Sequence, residues 1–240
     1  MLRSGGMEMT VRKVPVADRV VKQDGRKTRG TREGSLVERV RRLILEDIIR
    51  GRIRPGTMLQ LSEIADNYEV RRTTVREALA LLERQGLVSA VPYKGYLVKG
   101  IEPGDVRDVY LIRKVIEGAA TELATTRIPR ESLERLHGVR PAQVDQMTLE
   151  YDEYAHDFHQ TIIHAAASPR LLSIFEDVYN DVRRIQYAGI GNPRPDLIHA
   201  EHQSIVEAML DGDSVMARAR MEAHIDAIRT RALQSWVDDH

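Results

Sequence analysis

The 240-residue sequence contains no cysteine. That excludes a disulfide framework, a thiol nucleophile and a cysteine-ligated zinc site. The sequence also lacks any apolar run approaching the roughly 20 residues needed to span a bilayer. Its first residues lack the apolar core of a secretory signal. The expectation is a cytoplasmic protein without a membrane partner. Net charge is missing too, since 36 Lys and Arg balance 36 Asp and Glu. The balance conceals an asymmetry: residues 1–34 hold 9 Lys/Arg against 4 Asp/Glu, residues 35–100 hold 12 against 8, and residues 101–240 hold 15 against 24. A basic front and an acidic rear suit a polyanion-binding head joined to a body that stays off the polyanion.

The length suits two modest domains. Residues 1–34 are polar, basic and dotted with glycine, without sustained periodicity, so disorder is the expectation. Ser35 and Glu38 form an S-x-x-E capping box that would open a first helix. Val40, Leu43, Ile44 and Ile48 would be its buried stripe, and Gly51 its end. The segment "IRPGTML" then reads as a turn leading to Ser62, a cap for the next helix.

Residues 62–98 are the most informative part of the chain. They read as helix, tight turn, second helix and a two-stranded wing. Val75, Ala78, Leu79 and Leu82 recur at i, i+3, i+4 and i+7, so one side of the second helix is core. The opposite side carries Arg72, Thr73 and Arg76 at the helix start, where side chains reach base edges and phosphates in a major groove. Gly86 stands at the expected helix stop. Leu87–Val91 and Tyr96–Val98 flank Pro92-Tyr93-Lys94-Gly95 as the wing hairpin, placing Lys94 and Gly95 at the tip. The plainer reading is an amphipathic helix with a solvated basic face.

"IEPGD" at 101–105 reads as a linker, and residues 106–240 as helices without a strand pattern. Val106, Val109, Ile116, Ala120 and Leu123 stripe the first of them, to about Thr126. Others are expected at about 131–137, 149–167, 170–188, 196–211 and 213–236, with breaks at Pro129, Pro141, Ser168-Pro169, the "GIGNPRP" run and Gly212. The expected fold class is mainly α: a winged helix-turn-helix over residues 35–100 and an antiparallel all-α bundle over 106–240. Within the bundle, His159, His202 and His224 each lie on an expected helix beside apolar positions. Three imidazoles from three helices can converge on a divalent metal, and ligand type alone admits zinc, nickel, iron or manganese. Hydrogen-bonded core histidines are the other reading.

"VRRTTVREALALLERQGLV" followed by "PYKGYLV" resembles the winged helix-turn-helix of the GntR family of bacterial transcription regulators. Val70, Arg72, Thr73, Val75, Arg76, Glu77, Ala78 and Leu79 stand in the places of the family string V-S-R-T-P-V-R-E-A-L. Arg71 replaces its Ser, Thr74 its Pro, and Tyr68-Glu69 the common Leu-Gly of the turn. Without that proline, Thr73 or Thr74 is expected to cap the helix. The resemblance implies double-stranded operator DNA as partner and a DNA face comprising Ser62, Arg71, Arg72, Thr73, Thr74, Arg76, Lys94 and Gly95.

"FHQTIIHAAASPRLL", "EHQSIVEAMLDGD" and "ARARMEAH" resemble the effector-binding FCD domain of the FadR-type subfamily. The resemblance implies that His159, His202 and His224 bind a divalent metal together with an Asp one turn before the first histidine. That position is Ala155 here. Asp152 is about 10 Å away along a helix axis, and neither His156 nor Asp157 matches the pattern. Three histidines would leave positions open for water or an effector carboxylate. Arg113 matches an arginine near the family's pocket and would clamp such a carboxylate; pairing with Glu117 at i+4 is the alternative. Asn180 and Arg184 are effector-site candidates by helical phase. The expected function is a homodimeric regulator, acting as a repressor, whose operator binding responds to a small organic acid. An enzyme using the metal to activate water, or an architectural DNA-binding protein, are the alternatives carried forward.

Overall fold

The computed structural model describes residues 29–138, 149–188, 190 and 194–238. The chain forms two compact units, divided between Gly100 and Ile101. The expected breaks at Pro141 and within residues 191–193 lie outside the described residues.

In the first unit, α1 (Arg29–Ile49) packs on α3 (Arg72–Arg84), with the short α2 (Leu61–Asn67) beside them. The apolar spacing explains the packing: Val37, Val40, Ile44 and Ile48 of α1 are buried, as are Val75, Ala78, Leu79 and Leu82 of α3. Helix α1 begins before the expected Ser35 cap, and residues 29–34, expected within a disordered tail, are helical. A helix nucleated on a buried stripe extends at little cost, and no proline blocks it here. Ser62 likewise lies inside the first turn of α2, after Gln60 as N-cap, rather than capping it.

The wing is a three-stranded antiparallel sheet rather than a two-stranded one. β1 (Met58–Leu59), within the segment expected to be a turn, joins β2 (Val88–Val91) and β3 (Gly95–Val98) in the order β1-β3-β2. Gly95 explains the close fit: a Cβ there would stand 2.2 Å from the Leu59 carbonyl oxygen. Across the hairpin, Val91 faces Gly95 and Ala90 faces Tyr96.

The turn between α2 and α3 shows what the Tyr68-Glu69 replacement does. Tyr68 is buried and donates its hydroxyl to Asp47 at 2.5 Å, while Arg52 pairs with the same carboxylate at 2.6 Å. Glu69 adopts φ 52°, a left-handed conformation disfavoured for residues with a Cβ. Glu69→Gly is therefore expected to stabilise this unit by about 0.5–1 kcal/mol, the relieved strain less the extra chain entropy of glycine. A urea midpoint shifted downward would contradict this.

Among its described residues, the second unit has helices and connecting turns and no strand. Helices α4 (Pro103–Thr125), α5 (Arg130–Gly138), α6 (Leu149–Ala165), α7 (Pro169–Tyr187), α8 (Pro195–Leu210) and α9 (Ser214–Asp238) surround one main core. Glu102 and Asp105 form a reciprocal capping box at the start of α4, and Ser168 caps α7. Helices α4 and α9 run antiparallel, as shown by Lys114–Asp226 at 2.5 Å, Arg218–Glu122 at 2.8 Å and a Gly118 that leaves room for Glu222. Their close approach pulls the inner face of α4 off its apolar stripe: Leu123 is 39% exposed, whereas Arg113 and Glu117 are buried. No helix among the described residues is long and apolar enough to cross a membrane.

Candidate functional site

On the first unit, α3 presents Arg72, Thr73 and Arg76 on its exposed side, with Arg71 exposed as the N-cap residue. Neither threonine caps the helix; Arg71 takes the N-cap position with no side-chain bond to it. Thr74, expected on the DNA face, is buried, because it falls on the same side as Val75 and Ala78. Ser62 is half-buried in α2. Lys94 is exposed at the wing tip, beside a fully exposed Tyr93 at φ 63°. Tyr93 follows Pro92 at the left-handed corner of the hairpin, with Lys94 N–H donating to the Val91 carbonyl at 3.1 Å. That aromatic was not singled out from sequence, although its place in the turn between two strands was the available signal.

In the second unit, His159 of α6, His202 of α8 and His224 of α9 are drawn together. Each belongs to its helix's buried stripe: His159 with Phe158 and Ile162, His202 with Ile198 and Ile205, His224 with Met221 and Ile225. One nitrogen from each ring lies within 4.8 Å of the other two, and all three side chains are buried. The Nε2 atoms of His202 and His224 are 3.2 Å apart. Two nitrogens bound tetrahedrally to zinc at about 2.0–2.1 Å stand about 3.3 Å from one another, so this pair fits a shared ion. His202 also stacks on Phe158, with ring centroids 3.7 Å apart. Its Nδ1 is buried without a hydrogen bond among the described residues.

Burial holds all three imidazoles below their ordinary pKa, and the nearby Arg113 charge acts in the same direction. For His224, Glu201 opposes that shift without cancelling it. Neutral imidazoles are the metal-binding form. The donor set therefore fits a divalent ion.

Two carboxylates adjoin the rings. Glu117 of α4 places Oε2 2.6 Å from Nδ1 of His159; the contact is at ion-pair distance, although neither atom is aligned for a hydrogen bond. Burial pushes the Glu117 carboxyl upward, with the charge of Arg113 pulling against it. Glu201 of α8 places Oε2 2.7 Å from Nδ1 of His224. Its burial is outweighed by bonds from His224 and Arg231, which hold its pKa low. Sequence spacing concealed both carboxylates, since Glu117 precedes His159 by more than forty residues.

Among the other candidates, Ala155 is half-buried on α6, and Asp157 is exposed. His156 packs against Tyr179 of α7, 4.4 Å between ring centroids. Asp152 lies outside the described side chains. Arg113 does pair with Glu117, through Nε, but in the buried core rather than at the surface. On α7, Asn180 is half-buried, and Arg184 stands 3.7 Å from Asp181, whose carboxyl burial pushes up to about 6.

A winged helix-turn-helix with a basic exposed helix face, followed by a helical unit enclosing three histidines, is the arrangement of a two-domain DNA-binding regulator. The chain belongs to the GntR family of bacterial regulatory proteins, matching it over residues 36–98 and matching the FCD domain over residues 108–227. It is 26% identical over 196 residues to the HTH-type transcriptional repressor RspR of Escherichia coli K12, covering 80% of this chain and 86% of that protein. The HTH-type transcriptional repressor GlaR of the same organism is 26% identical over 197 residues, covering 77% and 90%. In fold, the chain is similar to a GntR transcriptional regulator from Rhodococcus sp. RHA1, with TM-score 0.64, 21% identity, and 83% and 98% of the two chains covered. It is a DNA-binding transcription regulator of the GntR and FCD type.

Proposed function

We propose that the protein is a homodimeric repressor whose hold on operator DNA is altered by a small organic acid bound at a divalent metal. The observation that carries the sensing role is the convergence of three neutral, buried imidazoles from three helices. A bound ion would polarise and orient an anionic ligand at its remaining positions. The Nε of Arg113 is committed to Glu117. We therefore assign the effector's carboxylate first to the ion's open positions, with Asn180 and Arg184 as flanking candidates on α7. The names of two relatives, both repressors, support the sign of regulation.

Dimerisation is supported by exposed Leu111, Ile112 and Val115 on α4, an apolar strip that a second copy would cover. A two-fold protein would match a two-fold operator. The effector acts by binding one arrangement of the paired heads better than another, because equal affinity would shift nothing.

For DNA reading we assign Arg71, Arg72, Thr73 and Arg76 of the α3 start, with Lys94 at the wing. Duplexes selected in vitro by the wild-type protein would provide the reference operator. Arg72→Ala and Arg76→Ala are each expected to reduce preference for that operator by about 5- to 150-fold, the equivalent of one base contact. Weak, salt-sensitive binding to unrelated duplexes should persist. Both side chains are exposed, so circular dichroism should be unchanged. Undiminished preference in both variants would remove α3 from DNA reading.

A further inference from the structure

Two arginines stand behind the histidine centre rather than within it. Arg113 donates through Nε to Oε1 of Glu117, leaving Oε2 of that carboxylate beside Nδ1 of His159. Arg231 holds Glu201 by two bonds of 2.9 and 3.0 Å, and Glu201 Oε2 meets Nδ1 of His224. Both runs have the same order: guanidinium, carboxylate, imidazole Nδ1. They are nevertheless assembled from different helices, α4 with α6 in one case and α8 with α9 in the other.

Resting on the metal-assisted reading above, we infer that Glu117 and Glu201 are positioning residues that hold His159 and His224 with Nε2 turned to the ion. An imidazole that ligates through Nε2 carries its proton on Nδ1, and that N–H requires an acceptor. A carboxylate acceptor fixes the tautomer and ring angle and makes the ligating nitrogen more basic. The arginine on the far side pairs with each carboxylate, favours its charged form and restricts its rotation. Glu117 Oε2 and His159 Nδ1 are both buried and unbonded, so a small turn of the ring completes the bond and satisfies both.

The third ring is built differently. His202 is held by its stack on Phe158 and makes no hydrogen bond through Nδ1 among the described residues. With Ala155 at the position one turn before His159, the ligand atoms identified here are all neutral. The carboxylate charge therefore sits one bond further out than an aspartate ligand at 155 would place it. A divalent ion held by three imidazoles alone would keep a formal charge of +2 within its ligand set, one more than with an aspartate ligand at 155.

The test uses the full chain, freed of metal and titrated with Co²⁺. Affinity is read by chelator competition, the ligand set by the visible absorption band, and folding by thermal melting. Glu117→Gln and Glu201→Gln should each weaken Co²⁺ binding by about 10- to 100-fold with the band unchanged. Ala155→Asp should strengthen binding, alter the band and offset much of the loss in Glu117→Gln. Unchanged affinity in both glutamine variants overturns the positioning role. An altered band in Glu117→Gln overturns it as well, since that carboxylate would then belong to the ligand set. If Glu117→Gln fails to fold, the half-exposed Glu201 site decides by the same criteria. Failure of the wild-type chain to bind Co²⁺ would instead overturn the metal-assisted reading itself, and this inference with it.

Discussion

Arg113→Ala is expected to destabilise the helical unit by about 3–5 kcal/mol, the usual cost of leaving one partner of a buried ion pair behind. Glu117 is 1% exposed, so truncating Arg113 leaves its carboxylate in the core without its cationic partner. Removing both partners should behave differently. Arg113→Met with Glu117→Leu leaves no stranded charge, and most of the stability should return. Burial already raises the Glu117 carboxyl. Without Arg113 it rises further, so the loss should be larger at high pH and shrink as the carboxyl protonates. Urea denaturation of the single and double variants at two pH values measures all of this. An Arg113→Ala protein within 1 kcal/mol of wild type would mean that the pair contributes little.

Acidification of the metal-free protein is the second large effect. His159, His202 and His224 are all held below the ordinary imidazole value by burial. Unfolded, each binds a proton near pH 6.5. Below that pH the unfolded chain takes up protons that the folded chain resists, so stability is full above about 6.5 and falls as pH falls. Each histidine contributes a slope of at most about 1.4 kcal/mol per pH unit, and the three together at most about 4. Glu201, held low, adds loss in the same direction below about pH 4.3. Melting temperatures measured between pH 7.5 and 5.5 after chelator treatment should drop steeply, and His202→Gln should remove part of the slope. A flat profile would show that these rings accept protons freely in the folded state.

Much of the architecture was legible in the residues. The recognition helix, the wing hairpin and the helical character of the second unit follow from apolar spacing and turn residues, and those signals are local. Helix starts were less legible, because caps compete with propagation: α1 runs past Ser35, and Arg71 rather than a threonine precedes α3. The identity of the three histidines was readable for the same reason as the core around them, since each lies in phase with buried apolar neighbours.

The sequence by itself determined which faces are apolar, where the chain turns and which residue types are available at the basic helix and the histidine positions. The tertiary structure decided how the polar residues on the inner faces are answered. Arg113 and Glu117 looked like an ordinary i, i+4 pair. Packing against α6 and α9 turned that pair inward, and it brought Glu117 against His159 and Glu201 against His224. The packing of α4 also left Leu123 39% exposed. The physical reason is that hydrophobic periodicity specifies a face through short-range geometry. A buried charge or imidazole is stabilised by polar partners, and for His159 and His224 those partners come from other helices, distant in the chain.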